Sequence, residues 1–192
     1  ILSIQGVGPA LASSSHFAEQ WDQVTTHIND RQYTDAVEVV ENILAAAQTA
    51  GDNEHWARAL VERVRLQTAM GQPENSVRNL QAATWPPDPL WRGVLELYYA
   101  RTLLEYQNRY SHDIRQRELV VAADSVDLKI WTSQRFSTEI NAAFLRVWSA
   151  RESWGNKSNG AWSLFMEQNN YPAHIRGTLR DAVSYLWVEH LT

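Results

Sequence analysis

The chain has 192 residues, with 17 Lys plus Arg against 22 Asp plus Glu and a net charge of −5. That length buries a real core, enough for one large domain or two small ones, while mixed signs without a basic stripe leave nucleic acid unexpected as a partner. Cysteine is missing, which removes disulfides, thiolate metal sites and cysteine nucleophiles, and no apolar run approaches the roughly 20 residues that span a bilayer.

Residues 1–14 are small and apolar, with an A-x-A pattern at Ala10-Leu11-Ala12 and breaks at Gly6, Gly8 and Pro9. They read as an extended lead-in or, alternatively, as the tail of a signal peptide lacking its basic region. Beyond them helix formers dominate, apolar residues recur at helical spacing, and Gly and Pro fall between the periodic segments, so the fold class is all-α. One helical domain over 15–192 is expected, with two hairpins in 15–84 and a central helix, an irregular crossing and C-terminal helices in 85–192.

Ser13-Ser14-Ser15 offers the cap of a first helix reaching about Asn29, with Phe17, Trp21, Val24 and Ile28 on one stripe. Tyr33 opens a second helix that stops at Gly51; Asp52 or Asn53 caps a third, carrying Trp56, Leu60 and Val64 and ending at Gly71. Pro73 sits in the first turn of a fourth, where its missing N–H is no loss. Links this short force antiparallel neighbours.

The second and fourth helices repeat a motif. Ala36, Val40 and Ile43 in one match Ser76, Leu80 and Ala83 in the other, forty positions on. A small residue followed at four and then three by apolar ones lies on one stripe, and lets a neighbouring helix come close. Paired helices at this period are the mark of a helical solenoid. The order resembles a degenerate tetratricopeptide repeat, although that repeat is usually shorter and Val24 and Val64 stand where it has a small residue.

Trp85-Pro86-Pro87 ends the hairpins, and Asp88-Pro89 caps a helix to about Asn108 that is apolar nearly all round: Leu90, Val94, Leu97 and Leu104 on one side, Trp91, Leu95, Tyr99 and Tyr106 on another. Such a helix belongs between neighbours. Residues 110–131 lose periodicity and read as an irregular crossing, with a helical extension through Arg117. Thr132 or Ser133 then caps a helix carrying Phe136, Ile140, Phe144, Val147 and Trp148, closed by Gly155. A polar loop, 155–160, contains the N-x-S triplet at Asn156, a glycan acceptor only in a eukaryotic secreted setting. A short helix from Ala161 to about Gln168 follows. In the last helix the Thr178 hydroxyl caps, Asp181 complements the free N–H groups, and Ala182, Tyr185, Leu186 and Leu191 form the buried side.

Three blocks, Trp85-Pro86-Pro87-Asp88-Pro89-Leu90 leading to Leu97-Tyr98-Tyr99-Ala100, Asp127-Leu128-Lys129-Ile130-Trp131, and Ile175-Arg176-Gly177-Thr178-Leu179-Arg180-Asp181, together resemble the N-terminal helical region of large bacterial alpha-macroglobulin-family proteins. In the third, Gly177 replaces the family's usual proline. The resemblance runs from about Ala18 onward. It implies a helical module of a much longer cell-envelope or periplasmic protein, one that docks or spaces β-sandwich domains. The family's thioester chemistry needs a cysteine and cannot be carried onto this chain.

Chemistry-bearing patterns are sparse, and no enzyme, cofactor or metal site is expected. His16, His27, His55, His112, His174 and His190 show no metal-ligand spacing and read as surface or capping residues. Nucleophile elbows and phosphate loops do not occur. Glu38 and Glu41 fall on an outward face. Among nine tryptophans, Trp21, Trp56 and Trp148 have core spacing, whereas Trp85 and Trp154 lie beside loops and are candidates for partner contact. Arg58 and Arg65, seven apart on the third helix, are a further candidate pair for receiving a carboxylate. The expected role is a non-catalytic scaffold binding a protein or peptide. A free-standing tetratricopeptide-type adaptor and an all-α enzyme with an acid-lined pocket are the alternatives.

Overall fold

The computed structural model describes residues 9–117, 127–165, 174–175 and 177–191, without the side chains of 9–16 and 191. Among these residues all regular structure is helical: α1 (Pro9–Asn29), α2 (Tyr33–Ala50), α3 (Asn53–Ala69), α4 (Pro73–Ala82), α5 (Pro89–Arg109), α6 (Ser111–Arg115), α7 (Ser133–Ser149), α8 (Arg151–Trp154), a 3-10 turn (Asn159–Trp162) and α9 (Leu179–Leu191). The first helix is already formed at Pro9, the first described residue and ahead of the expected Ser15; Ala10-Leu11-Ala12 favour helix, so the serines sit inside it.

The first three helices end alike. Residues Arg31, Gly51 and Gly71, twenty apart, take left-handed backbone with φ of 60°, 67° and 77°. Each lets the next N–H reach back five residues, from Gln32 to His27 at 2.8 Å, Asp52 to Ala47 at 2.9 Å and Gln72 to Gln67 at 2.9 Å. This closure satisfies the orphan carbonyls and turns the chain within three residues. The connections are accordingly short, and α1 packs on α2, α2 on α3 and α3 on α4.

The apolar stripes expected from spacing lie inside. Ala36, Val40, Ile43, Leu60 and Leu80 have no exposed surface, and Ser76 joins them because its hydroxyl donates to the Pro73 carbonyl at 2.7 Å. Each fully buried Val, Leu or Ile contributes about 1.5–3 kcal/mol. Further contact runs between α1 and α3: the His55 ring lies 4.4 Å from Phe17 and 6.5 Å from Trp21, centroid to centroid.

Helix α5 is the spine, as its all-round apolar pattern requires. It packs against α3 and α4 on the hairpin side and against α6, α7 and α8 on the other. At Gly93 a Cβ would meet the Trp162 ring at 3.3 Å, so the absent side chain is what admits the Trp154–Trp162 pair, whose rings are 5.3 Å apart. The crossing after α6 is pinned by Arg117, whose guanidinium donates to the Leu128 carbonyl at 2.7 Å and the Trp131 carbonyl at 3.0 Å.

Two local expectations need correction. The polar loop after Gly155 is bound to the start of α9, with Asn159 N–H on the Gly177 carbonyl and Leu179 N–H on the Lys157 carbonyl, both at 2.9 Å. On α9 the fully buried residues are Leu179 and Val183, while Tyr185 is 52 % exposed. The helix is turned by Trp187 and His190, which stack on Phe144 of α7 at 5.9 and 5.8 Å. The cap does form as expected: the Thr178 hydroxyl donates to Asp181 at 2.6 Å and accepts the Asp181 N–H at 3.3 Å. The helix expected from Ala161 appears as the 3-10 turn followed by further turn to Phe165; its expected continuation to Gln168 lies outside the described residues, as do residues 118–126 of the crossing.

Candidate functional site

Where the hairpins meet the spine, the end of α4, the Trp85 turn, α5 and α7 enclose an open cleft of about 320 Å³. Trp85 forms its wall. The indole N–H donates to the Leu80 carbonyl at 2.8 Å, which fixes the ring against the end of α4. Pro86 and Pro87 stop the chain from continuing as helix, and Asp88 then starts α5 by accepting the N–H groups of Leu90 at 2.8 Å and Trp91 at 3.4 Å. From that start Arg92, Glu96 and Tyr99 fall at steps of four and three on one stripe, facing Glu139 and Arg146 of α7 across the cleft.

The charges in the cleft are unevenly committed. Arg146 donates through Nε to Glu96 at 2.8 Å and through Nη2 to Glu139 at 3.2 Å, stapling α7 to α5. Burial works against its charge, but the bonds and charges of these two carboxylates outweigh that and raise its pKa. Glu96 would be the natural i,i+4 partner of Arg92, yet Arg146 has taken it. The exposed Arg92 guanidinium lies instead over the Trp85 ring, 5.8 Å from the centroid, and makes no ion pair among the described residues. Tyr99 accepts a hydrogen bond from the Gln81 amide, and burial, aided by Glu139, raises its pKa, so it stays a neutral phenol. Both cleft carboxylates are thus paired with the same guanidinium.

The four candidate residues do not converge. Trp85 is half-buried and lines the cleft. Trp154, expected beside a loop and accessible, is 1 % exposed: the gap left by Gly93 draws it into the core beside Trp162, which removes it as a contact residue. The guanidinium of Arg58 stacks on Trp21 at 3.8 Å, and burial there lowers its pKa against the pull of Glu62 and Glu54. Arg65 pairs with Glu62 at 3.4 Å; burial opposes its charge, but Tyr98 and Glu62 leave its pKa raised. Both arginines thus lean on partners within the chain, with Glu62 between them.

Some histidines are less superficial than expected. His55 is packed against Phe17 and Trp21, and His190 stacks on Phe144 with its pKa lowered by burial. His27 bonds Gln32 at 2.8 Å and His112 bonds Gln116 at 3.0 Å. Among the described residues no group of three or more His, Asp or Glu is placed to hold a metal ion, and no helix is long and apolar enough to cross a membrane.

Sequence reasoning found Trp85 but missed Arg92, Glu96, Glu139 and Arg146. A signal was present: acid and base at i,i+4 on the spine, and acid and base two turns apart on α7, are complementary stripes. Only knowledge that these helices pack together turns the stripes into a site. No protein-family model matches the chain, and no curated protein or solved structure is similar enough to be matched with it.

Proposed function

We propose that this chain is a non-catalytic helical module that binds a protein partner at the Trp85 cleft. The observation that carries the reading is the state of the cleft's acids: Glu96 and Glu139 are held by one arginine, while a rigid indole and an uncommitted guanidinium stand at the open end. Aromatic and arginine side chains are the usual anchors of protein contacts. On the same reading the hairpins stack as a short tetratricopeptide-like solenoid. The regular closure at Arg31, Gly51 and Gly71 and the ring contacts between α1 and α3 support it. A peptide groove at Arg58 and Arg65 has less support, because both side chains are engaged internally.

The setting we propose is the N-terminal helical part of a large bacterial envelope protein of the alpha-macroglobulin kind, supported by the order of the three sequence blocks. The encoding reading frame tests it. A frame continuing through consecutive β-sandwich patterns agrees, and one ending near Thr192 removes it. Contact at the cleft is tested by placing a photo-crosslinking residue at exposed Thr84 in the whole natural protein, with exposed Glu38 as control. A discrete adduct specific to position 84 is expected. Equal yields from both positions would refute binding there.

A further inference from the structure

The open end of the cleft has a chemistry of its own. Trp85 is anchored through Leu80, and Arg92, whose guanidinium lies over its ring, has lost its i,i+4 partner Glu96 to Arg146. An exposed guanidinium without a carboxylate, next to a flat indole, has an unused fork of donors that matches a carboxylate. We propose that this corner recognises an extended segment of a polypeptide, seating one side-chain carboxylate on the free edge of the Arg92 guanidinium while the Trp85 ring backs that guanidinium. The inference rests on the reading of the cleft as a protein contact.

The geometry selects this occupant over its rivals. The guanidinium stacked over Trp85 keeps its edge donors free, and that planar fork matches a single carboxylate. A chain-terminal carboxylate is favoured by nests of backbone N–H groups, and the rim beside Trp85 is Pro86-Pro87, which has none to give. Single-stranded nucleic acid also stacks on aromatics and pairs with arginine. A run of phosphates needs a run of cations, however, and Arg146, the other cleft cation, is already shared between Glu96 and Glu139, which leaves a place for one carboxylate only.

The test is a titration of the protein, labelled with nitrogen-15, with the capped peptide acetyl-Ser-Phe-Ser-Glu-Ser-amide. Indole and arginine Nε–H resonances are followed. Shifts confined to Trp85, Arg92 and their neighbours are expected. Replacing the peptide's Glu by Gln, or making Arg92→Gln in the protein, is expected to weaken binding about tenfold, the worth of one charge-assisted hydrogen bond. Arg92 is exposed, so the variant keeps its fold, as its unchanged remaining resonances will show. Equal binding of the Glu and Gln peptides overturns the proposal, as does no response at millimolar peptide. Preference for an oligothymidylate that is lost in Arg92→Gln overturns it in favour of nucleic acid. Failure with the peptides leaves the protein-contact reading intact, because the crosslink at Thr84 tests that reading without assuming the partner's charge.

Discussion

Three residues show how single positions set this structure. Gly93 lies where the Trp162 ring meets the spine, with only 3.3 Å for an added Cβ. Since Trp162 is fully buried and backed by Trp154, it has little room to yield. Gly93→Val is therefore expected to destabilise by about 2 kcal/mol through overpacking, seen as a lower urea midpoint with a quenched or shifted tryptophan emission. Arg31 is the opposite case. It occupies the left-handed position that Gly51 and Gly71 fill in the next two helix ends, at a cost of about 1 kcal/mol for a residue with a Cβ. Arg31→Gly should raise stability by about 0.5 kcal/mol once the added freedom of the unfolded chain is subtracted, measured in the same denaturation series. Tyr106 gives the pH dependence. Burial, together with its hydrogen bond to Glu74 at 3.1 Å, pushes the phenol up to about 12. Because the folded state holds this proton more tightly than the unfolded chain, the stabilisation is full below pH about 10 and is lost as pH rises through about 12. Tyr106→Phe should flatten the fall in urea midpoint between pH 10 and about 12, and phenol absorbance should show one tyrosine fewer among those that ionise late.

At the level of elements, caps decide where helices begin and arginines decide how they dock. Asp88 and Thr132 each accept an N–H of the first turn, and Thr178 with Asp181 does so reciprocally. Replacing such a cap costs about 1 kcal/mol. Asp88→Ala is expected to reach that figure and also to loosen Trp85, because the same turn aims both; the check is urea unfolding together with the Trp85 indole resonance. These caps were legible because Ser, Thr and Asp before proline or an apolar run have a local meaning. The burial of Trp154 was not, since it depends on a missing side chain on another helix, sixty-one positions away in the chain. Likewise, Tyr185 faces outward because the stacking of Trp187 on Phe144 fixes the rotation of α9.

For the molecule as a whole, one connected cluster of buried residues runs from Phe17 on α1 to Val183 on α9, with α5 through its middle. Polar ties cross the same junction: Tyr106 to Glu74, Gln81 to Tyr99, and Arg146 to Glu96. A continuous core of this kind should unfold in one step. Leu103→Ala removes a fully buried side chain at the centre of the spine, and is expected to cost about 2–5 kcal/mol. Tryptophan emission and far-ultraviolet dichroism should shift together. A variant in which the two separate, with part of the helix signal persisting, would show instead that the hairpins stand alone.

By itself the sequence determined the helical class, the bounds of the first hairpins after the opening helix, the spine and most of the buried stripes. Those features follow from period, cap and breaker, all written within a few residues of where they act. The tertiary structure decided the cleft. Whether Arg92 keeps Glu96 or loses it to Arg146 is a competition between groups fifty or more residues apart in the chain, and only the packing of α7 on α5 sets its outcome.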